Sequence, residues 1–233
     1  LAILSLLASQ GAGFDIVSGG ELQRVIRAGG DPAKVVFSGV GKTAEEISDA
    51  LDAGILSFNV ESEAELQLID AIARERQTQA PVSLRINPNV DPESHPYIST
   101  GLQENKFGIP WDRAPELVQR ANRMPGIHLV GLDCHIGSQL EAIDPLVDAL
   151  KRLVSLLDEI ARSGITLSHL DIGGGLGIPY GDSRKPPTPA EYARVLREVV
   201  GDRGLRIILE PGRVIMGNAG ILLMRVLLNK QTD

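Results

Sequence analysis

Three short segments carry side chains able to do chemistry. In "LEPGR", 209–213, Glu210 closes an apolar run, where an isolated carboxylate is costly unless it meets a partner. Arg213, three residues on, could be that partner and make a purely structural pair. Alternatively Glu210 faces a cationic group of a ligand. At about 4 Å and an effective dielectric of about 20 such a contact is worth roughly 4 kcal/mol before desolvation, enough to fix a ligand's protonation state. In "CHIGSQ", 134–139, His135 leaves an apolar run beside Gly137 and Ser138. It could be a base, a metal ligand, a flat surface for a ring, or a histidine satisfied at the rim of the fold. Metal is not expected, because Cys134 and His135 are adjacent and point to opposite faces of a strand, and the other histidines lack ligand spacing.

The third segment, "LDIGGGLGIPYGD", 170–182, holds the consecutive glycines Gly173, Gly174 and Gly175. Their unobstructed backbone N–H groups suit a phosphate, or simply a tight turn. It is not a dinucleotide fingerprint: with Gly173 as the first glycine, the third falls at Ile178. A second phosphate-like segment, "VVFSGVGKT" at 35–43, fails as a P-loop, because the position of its first glycine is Val36, inside a β-branched run. The expected reading is a strand ending at Ser38-Gly39, with Thr43 capping the next helix and Glu45 and Glu46 favouring its positive end.

These groups need elements to position them, and the chain repeats one unit: an apolar β-rich run, a turn, an amphipathic helix. The runs at 14–17, 34–38, 55–60, 82–87, 127–135, 167–172 and 206–210 predict strands. Helices are predicted near 20–28, 43–53, 62–76, 112–123, 144–162 and 188–200. In the fifth of these, Leu146, Leu150, Leu153, Val154, Leu157 and Ile160 form a core-facing stripe. The opening "LAILSLLASQ" places Leu1, Leu4, Leu7 and Ala8 on one helical face, and is read as a helix of a chain that starts inside a larger protein.

Strict β–α alternation implies a parallel sheet covered by helices. With an eighth strand expected just upstream of Leu1, the fold class is an α/β, (β/α)8 barrel lacking its first strand. The late run 219–228 is read as the start of a second, β-rich domain. A barrel gathers its chemistry at strand C-termini. Those ends are polar here: Asp15, Ser38, Asn59 with Glu61, Arg85 with Asn87, His135 with Ser138, the glycines, and Glu210 with Arg213. The long connection at 95–109, "HPYISTGLQENKFGI", is read as a lid or subunit contact.

Composition narrows the partners. The chain has 233 residues, 43% of them hydrophobic, enough for a substantial core. A net charge of −7 argues against nucleic acid and against anionic membrane. One cysteine excludes an internal disulfide and fits a reducing compartment, hence a cytoplasmic location. The most apolar tail, "GILLMRVLLNK", is broken by Arg225, and no membrane span is expected.

Taken in order, "FDIVSGGE", "VVFSGVGKT", "LSFNVES", "LRINP", "YISTGLQENKFGI", "HIGSQ", "DIGGGLGIPY" and "EPGR" resemble the diaminopimelate decarboxylase family, from residue 1 to about 228. The resemblance implies a fold-type III pyridoxal-phosphate enzyme with an alanine-racemase-like barrel at 1–217, followed at 218–233 by the first strand of a C-terminal β domain. It implies decarboxylation of meso-2,6-diaminopimelate to L-lysine in lysine biosynthesis, by a homodimer with shared active sites. Gly174, Gly175, Ser138 and the backbone around Gly212 and Arg213 would hold the phosphate of pyridoxal 5'-phosphate. His135 would stack on its ring and Glu210 would pair with the ring nitrogen; Arg213 would also reach the substrate carboxylate, and Arg85 and Asp15 would line the pocket.

The chain departs from the family in what it lacks. The family's cofactor-tethering lysine sits on the barrel's first strand, which would end a few residues before Leu1; none of Lys34, Lys42, Lys106, Lys151, Lys185 and Lys230 matches it. The cysteine and tyrosine that complete the family's site would also lie outside, and Cys134 is not that cysteine. The 233 residues alone are therefore expected to be inactive. The rival readings are an ornithine- or arginine-type decarboxylase, a catalytically silent homologue that acts by binding, and an unrelated barrel for another phosphorylated metabolite.

Overall fold

Local sequence sets the helix starts. A computed structural model describes residues 1–90, 107–180 and 185–231. Ser18, Thr43, Ser62 and Thr188 each accept a hydrogen bond from the backbone N–H three residues on, and so start α2 (Gly19–Arg27), α3 (Ala44–Ala53), α4 (Glu63–Glu75) and α7 (Pro189–Val200). At Thr43 and Thr188 the glutamates Glu46 and Glu191 complete capping boxes. The segment that resembles a P-loop is thus a helix cap. Its Lys42 is buried and donates to Gly39 O (2.7 Å), Asn59 O (2.9 Å) and Glu65 Oε1 (2.6 Å). The ammonium is consumed in stapling two strand ends to α4.

The remaining helices are α1 (Ala2–Ser9), α5 (Ala114–Ala121), α6 (Asp144–Arg162) and α8 (Arg213–Met216). Strands are β1 (Phe14–Ile16), β2 (Val35–Phe37), β3 (Ser57–Val60), β4 (Ala80–Asn87), β5 (Ile109–Pro110), β6 (Ile127–Asp133), β7 (His169–Asp171) and β8 (Arg206–Ile208). They pair in parallel in the order β1-β2-β3-β4-β6-β7-β8, with the short β5 beside β4. Each main strand falls within a run expected to be a strand, or, for β4, overlaps it.

The sheet is curled. Asn59 on β3 and Asp171 on β7 are three strand spacings apart, about 14 Å in a flat sheet. Their side chains nevertheless hydrogen-bond at 3.4 Å. The architecture is an incomplete (β/α)8 barrel, with β1 and β8 as its open edges among the described residues. Helices pack outside; α6 buries Leu146, Leu150, Leu153, Leu156, Leu157 and Ile160, each worth about 1.5–3 kcal/mol.

Several elements differ from expectation. The helix expected from 112 begins as a 3-10 turn at Trp111–Arg113, and α5 follows only from Ala114, because Pro115 suits the first turn of a helix. The two-residue β5 and the four-residue α8 are too short to leave a periodic signal. The run 219–228 has no regular structure here, and Ile221 and Leu228 are 95% and 92% exposed; a strand needs a neighbour, and no described strand pairs with it. Along α1, Leu4, Leu7 and Ala8 are half-buried as expected, whereas Leu1 is exposed. The expected lid lies outside the described residues except for 107–109.

Inside the barrel, His169 is buried and its Nε2 lies 2.6 Å from Ser83 Oγ. Burial, with help from Arg206, pushes its pKa down to about 4, so the ring is neutral. Gly131 leaves room for that ring: a Cβ there would stand 2.5 Å from His169 Nε2 and 2.8 Å from Ser83 Oγ. Gly131→Ala is therefore expected to destabilise the protein by about 1–3 kcal/mol through overpacking. Denaturant unfolding checks this, and an unchanged midpoint would contradict it.

Candidate active site at the carboxyl-terminal mouth

Because all the strands are parallel, their C-terminal ends share one mouth. One carboxylate oxygen from each of Asp133 on β6, Asp171 on β7 and Glu210 just after β8 lies within 4.8 Å of the other two. Asp171 accepts from Gly173 N (3.0 Å) and Asn59 Nδ2 (3.4 Å), and Asn59 Nδ2 also reaches Ser38 Oγ at 3.2 Å. Arg85 faces the cluster, 3.8 Å from Asp133 and 3.1 Å from Glu61 Oε1, with its guanidinium over the Phe107 ring. Glu61 is held in turn by Gly108 N at 3.1 Å.

Crowding of acids sets the electrostatics. Burial, then Asp133, Asp171 and Asp15, push the Glu210 pKa up to about 11, with Arg85 opposing only in part. Burial and Asp171 raise Asp133 well above the carboxylate range. Asp171 is raised by burial against the opposing hydrogen bonds from Gly173 and Asn59. The Asp15 carboxyl is raised to about 6, first by burial, although the residue as a whole lies open on the edge strand. Glu210 brings one carboxylate oxygen within 4.8 Å of one on Asp171, close enough for a proton on either carboxyl to ease their repulsion. Its Oε1, like Asp133 Oδ1, is buried with no hydrogen-bond partner among the described residues. The three carboxylates could also ligate a cation at this spacing; Arg85 offsets part of their charge.

The glycine segment closes over this cluster. Gly173 and Gly175 have φ of +68° and +103°, conformations that favour glycine. A Cβ on Gly174 would meet Glu210 O at 2.2 Å, and one on Gly175 would meet Gly137 O at 2.1 Å. Backbone bonds Glu210 N to Gly173 O (2.9 Å) and Leu140 N to Gly175 O (2.8 Å) lock the three segments together. His135 accepts from Gly174 N at 3.3 Å through Nδ1. A backbone N–H only donates, so the neutral ring carries its proton on Nε2. Burial, then Arg85, hold its pKa down to about 4.

The sequence-predicted residues Glu210, His135, Gly174, Gly175, Arg85 and Asp15 converge here. Ser138 is half-buried beside them. Gly212 precedes α8 and Arg213 begins it. The structural Glu210–Arg213 pair is not formed: Arg213 Nη1 donates to Gln139 Oε1 (3.2 Å) and its guanidinium lies over Tyr180. Asp133, Asp171 and Gln139 were not singled out. Strand alternation would have found Asp133, which shares a face with His135, and Asp171 by its place two residues before Gly173. A cavity of about 750 Å³ lies between the open edges, lined by Phe14, Asp15, Ile208, Glu210 and Gly212 among others.

The charge state is testable. A carboxyl whose folded pKa is raised contributes stability that is full below its unfolded pKa and lost as pH rises through the folded value. Asp133→Asn is therefore expected to raise the melting temperature of the cofactor-free protein by a few degrees at pH 8 and to leave it unchanged at pH 4. An equal effect at both pH values would contradict the cluster's electrostatics.

Residues 1–217 match the family described as pyridoxal-dependent decarboxylase, pyridoxal binding domain. The chain is 54% identical over 233 residues to a diaminopimelate decarboxylase of Pseudomonas aeruginosa, covering 100% of this chain and 56% of that protein. Against the Aquifex aeolicus diaminopimelate decarboxylase it is 46% identical, covering 96% of this chain and 53% of the relative. The crystal structure of diaminopimelate decarboxylase from Helicobacter pylori complexed with L-lysine superposes with a TM-score of 0.89 at 43% identity, over 92% of this chain and 54% of that one. The arginine decarboxylase of Paramecium bursaria Chlorella virus gives a TM-score of 0.77 at 26% identity, over 91% of this chain and 54% of that one. The chain thus spans about half the length of the proteins it matches. With a curled parallel sheet, a glycine cradle and an acidic mouth already in place, that match means that this chain belongs to the pyridoxal-dependent decarboxylases.

Proposed function

We propose that the chain is the cofactor-binding barrel of a pyridoxal 5'-phosphate-dependent decarboxylase that converts meso-2,6-diaminopimelate to L-lysine and carbon dioxide. One observation carries the reading: a buried Glu210 oxygen without a partner among the described residues, beside a glycine cradle too tight for any side chain. That is a site fitted to an aromatic cation bearing an anionic tail. The likeness to diaminopimelate decarboxylases, stronger than that to the viral arginine decarboxylase, supports this substrate over the ornithine- and arginine-type alternatives.

In this reading Gly174, Gly175, Ser138 and the backbone at Gly212 and Arg213 hold the phosphate; Gly174 gives its N–H to His135 and contributes the space that a side chain would fill. His135, neutral and held by Gly174 N, offers a flat face to the ring without adding charge to it. When bound, pyridoxal phosphate supplies an electron sink for the carbanion left by departing carbon dioxide. Glu210 serves that chemistry by accepting a hydrogen bond from a protonated ring nitrogen, and the new cation draws its pKa back down. Arg85 and Asp15 line the pocket, and Arg213 takes the substrate carboxylate.

The tethering lysine, a β domain and the second subunit of a homodimer belong to the rest of the protein in this reading, which places it in the cytoplasm. The exposed apolar run 219–228 would be the first strand of that domain. No helix among the described residues is long and apolar enough to cross a membrane.

The test uses the full-length enzyme. Glu210→Ala is expected to lower kcat for carbon dioxide release by about 10²–10³ while the bound cofactor's visible absorbance remains, because a preorganised charge is removed and the cradle is not. Unchanged turnover would refute the role of Glu210. Absence of cofactor absorbance in the parent protein would refute the reading as a whole.

A further inference from the structure

Gln139 lies where a side chain is normally avoided. Its φ is +58°, a left-handed conformation it shares among described non-glycine residues only with Gln77 and Asn89. The side chain that results is fully engaged. Nε2 donates to Ile178 O at 2.6 Å, and Oε1 accepts from Ile178 N at 3.2 Å. The amide thus occupies the place a neighbouring strand would take beside the end of the glycine segment. The same Oε1 accepts from Arg213 Nη1 at 3.2 Å.

These contacts fix the amide's orientation. Turned over, its NH2 would face two donors and its oxygen would face the Ile178 carbonyl. Backbone contacts leave little room for it to shift: Leu140 bridges to Leu176, and a Cβ on Gly177 would stand 2.7 Å from Leu140 O and 3.3 Å from the Gln139 amide. Arg213, by contrast, sits on the four-residue α8, a weak support for a guanidinium. Its restraints among the described residues are Gln139 and the face of Tyr180. A glutamate at 139 would hold the guanidinium more strongly but would neutralise it and repel the Ile178 carbonyl. A neutral amide holds it and leaves both its charge and its other N–H donors available.

The geometry points to Gln139 as a positioning residue that aims Arg213 at the carboxylate of the amino-acid substrate while leaving that arginine's charge intact. This rests on the reading of Arg213 given above. Gln139 itself touches no reacting atom; it acts through Arg213.

The experiment is equilibrium binding to the full-length holoenzyme, by calorimetry, of L-lysine and of 1,5-diaminopentane, which has the same amines and no carboxylate. Gln139→Asn keeps the amide and the tolerance for positive φ but falls one methylene short of Arg213. It is expected to weaken lysine about tenfold, the scale of one charge-assisted hydrogen bond, and to leave diaminopentane within about twofold. In an Arg213→Met background the same substitution is expected to add nothing, since the two act as one unit. Gln139→Gly, which relieves the positive φ, is expected to show the same selective loss and carries the test if the asparagine variant fails to fold. Equal weakening of both ligands, or a lysine loss that persists in the Arg213→Met background, would show that Gln139 only supports the loop and would overturn the inference. Lysine binding unaffected by Gln139→Asn while Arg213→Met weakens it would overturn the inference alone. Lysine binding unaffected by Arg213→Met would overturn the role of Arg213 and the inference with it.

Discussion

Carboxylates crowded into a low-dielectric barrel mouth against one guanidinium are the constraint around which this structure is arranged. Asp133 and Asp171 are almost fully buried, Glu210 is half-buried, and Arg85 divides its charge between Asp133 and Glu61. Such a cluster is stable only if protons or a further cation make up the difference. In this chain burial and the neighbouring acids raise the Glu210 pKa to about 11, so that its own proton does so. An aromatic cation seated in the mouth would replace it.

Holding acids so close demands a rigid rim, and the rim is built from backbone. The glycine segment contacts the chain at Gly137 and at Glu210 at distances that exclude a Cβ. On the other side, Lys42 ties the ends of β2 and β3 to α4 through Gly39, Asn59 and Glu65. Asn59, fixed by that staple at its carbonyl, uses its side chain to bond Ser38 and Asp171. A lysine that looks as though it should bind phosphate thus supports the acid cluster from behind.

Much of this was legible in the chain. Each main strand overlaps an apolar run, and Thr43 caps α3 as its neighbours Glu45 and Glu46 suggest. Glu210, His135 and the glycines stood out because their types are costly or unusual at a strand end. Asp133 and Asp171 did not, because they sit inside otherwise ordinary strands and matter only through contacts made by curling. Asn59 and Asp171 are 112 residues apart, and nothing local announces their bond. The pairing of Arg213 with Gln139 rather than Glu210 was hidden for the same reason: three residues of separation after a strand fix no direction for a side chain.

Glu210, raised by burial and by its acidic neighbours, would hold its proton in the cofactor-free protein and give it up when an aromatic cation arrives. Infrared difference spectroscopy of the full-length protein at pH 7, with and without pyridoxal phosphate, measures this directly. A protonated-carboxyl C=O band is expected in the cofactor-free protein, absent from Glu210→Gln and lost when the cofactor binds. A cofactor-free protein with no such band, or a band that survives both the substitution and the cofactor, would contradict that expectation.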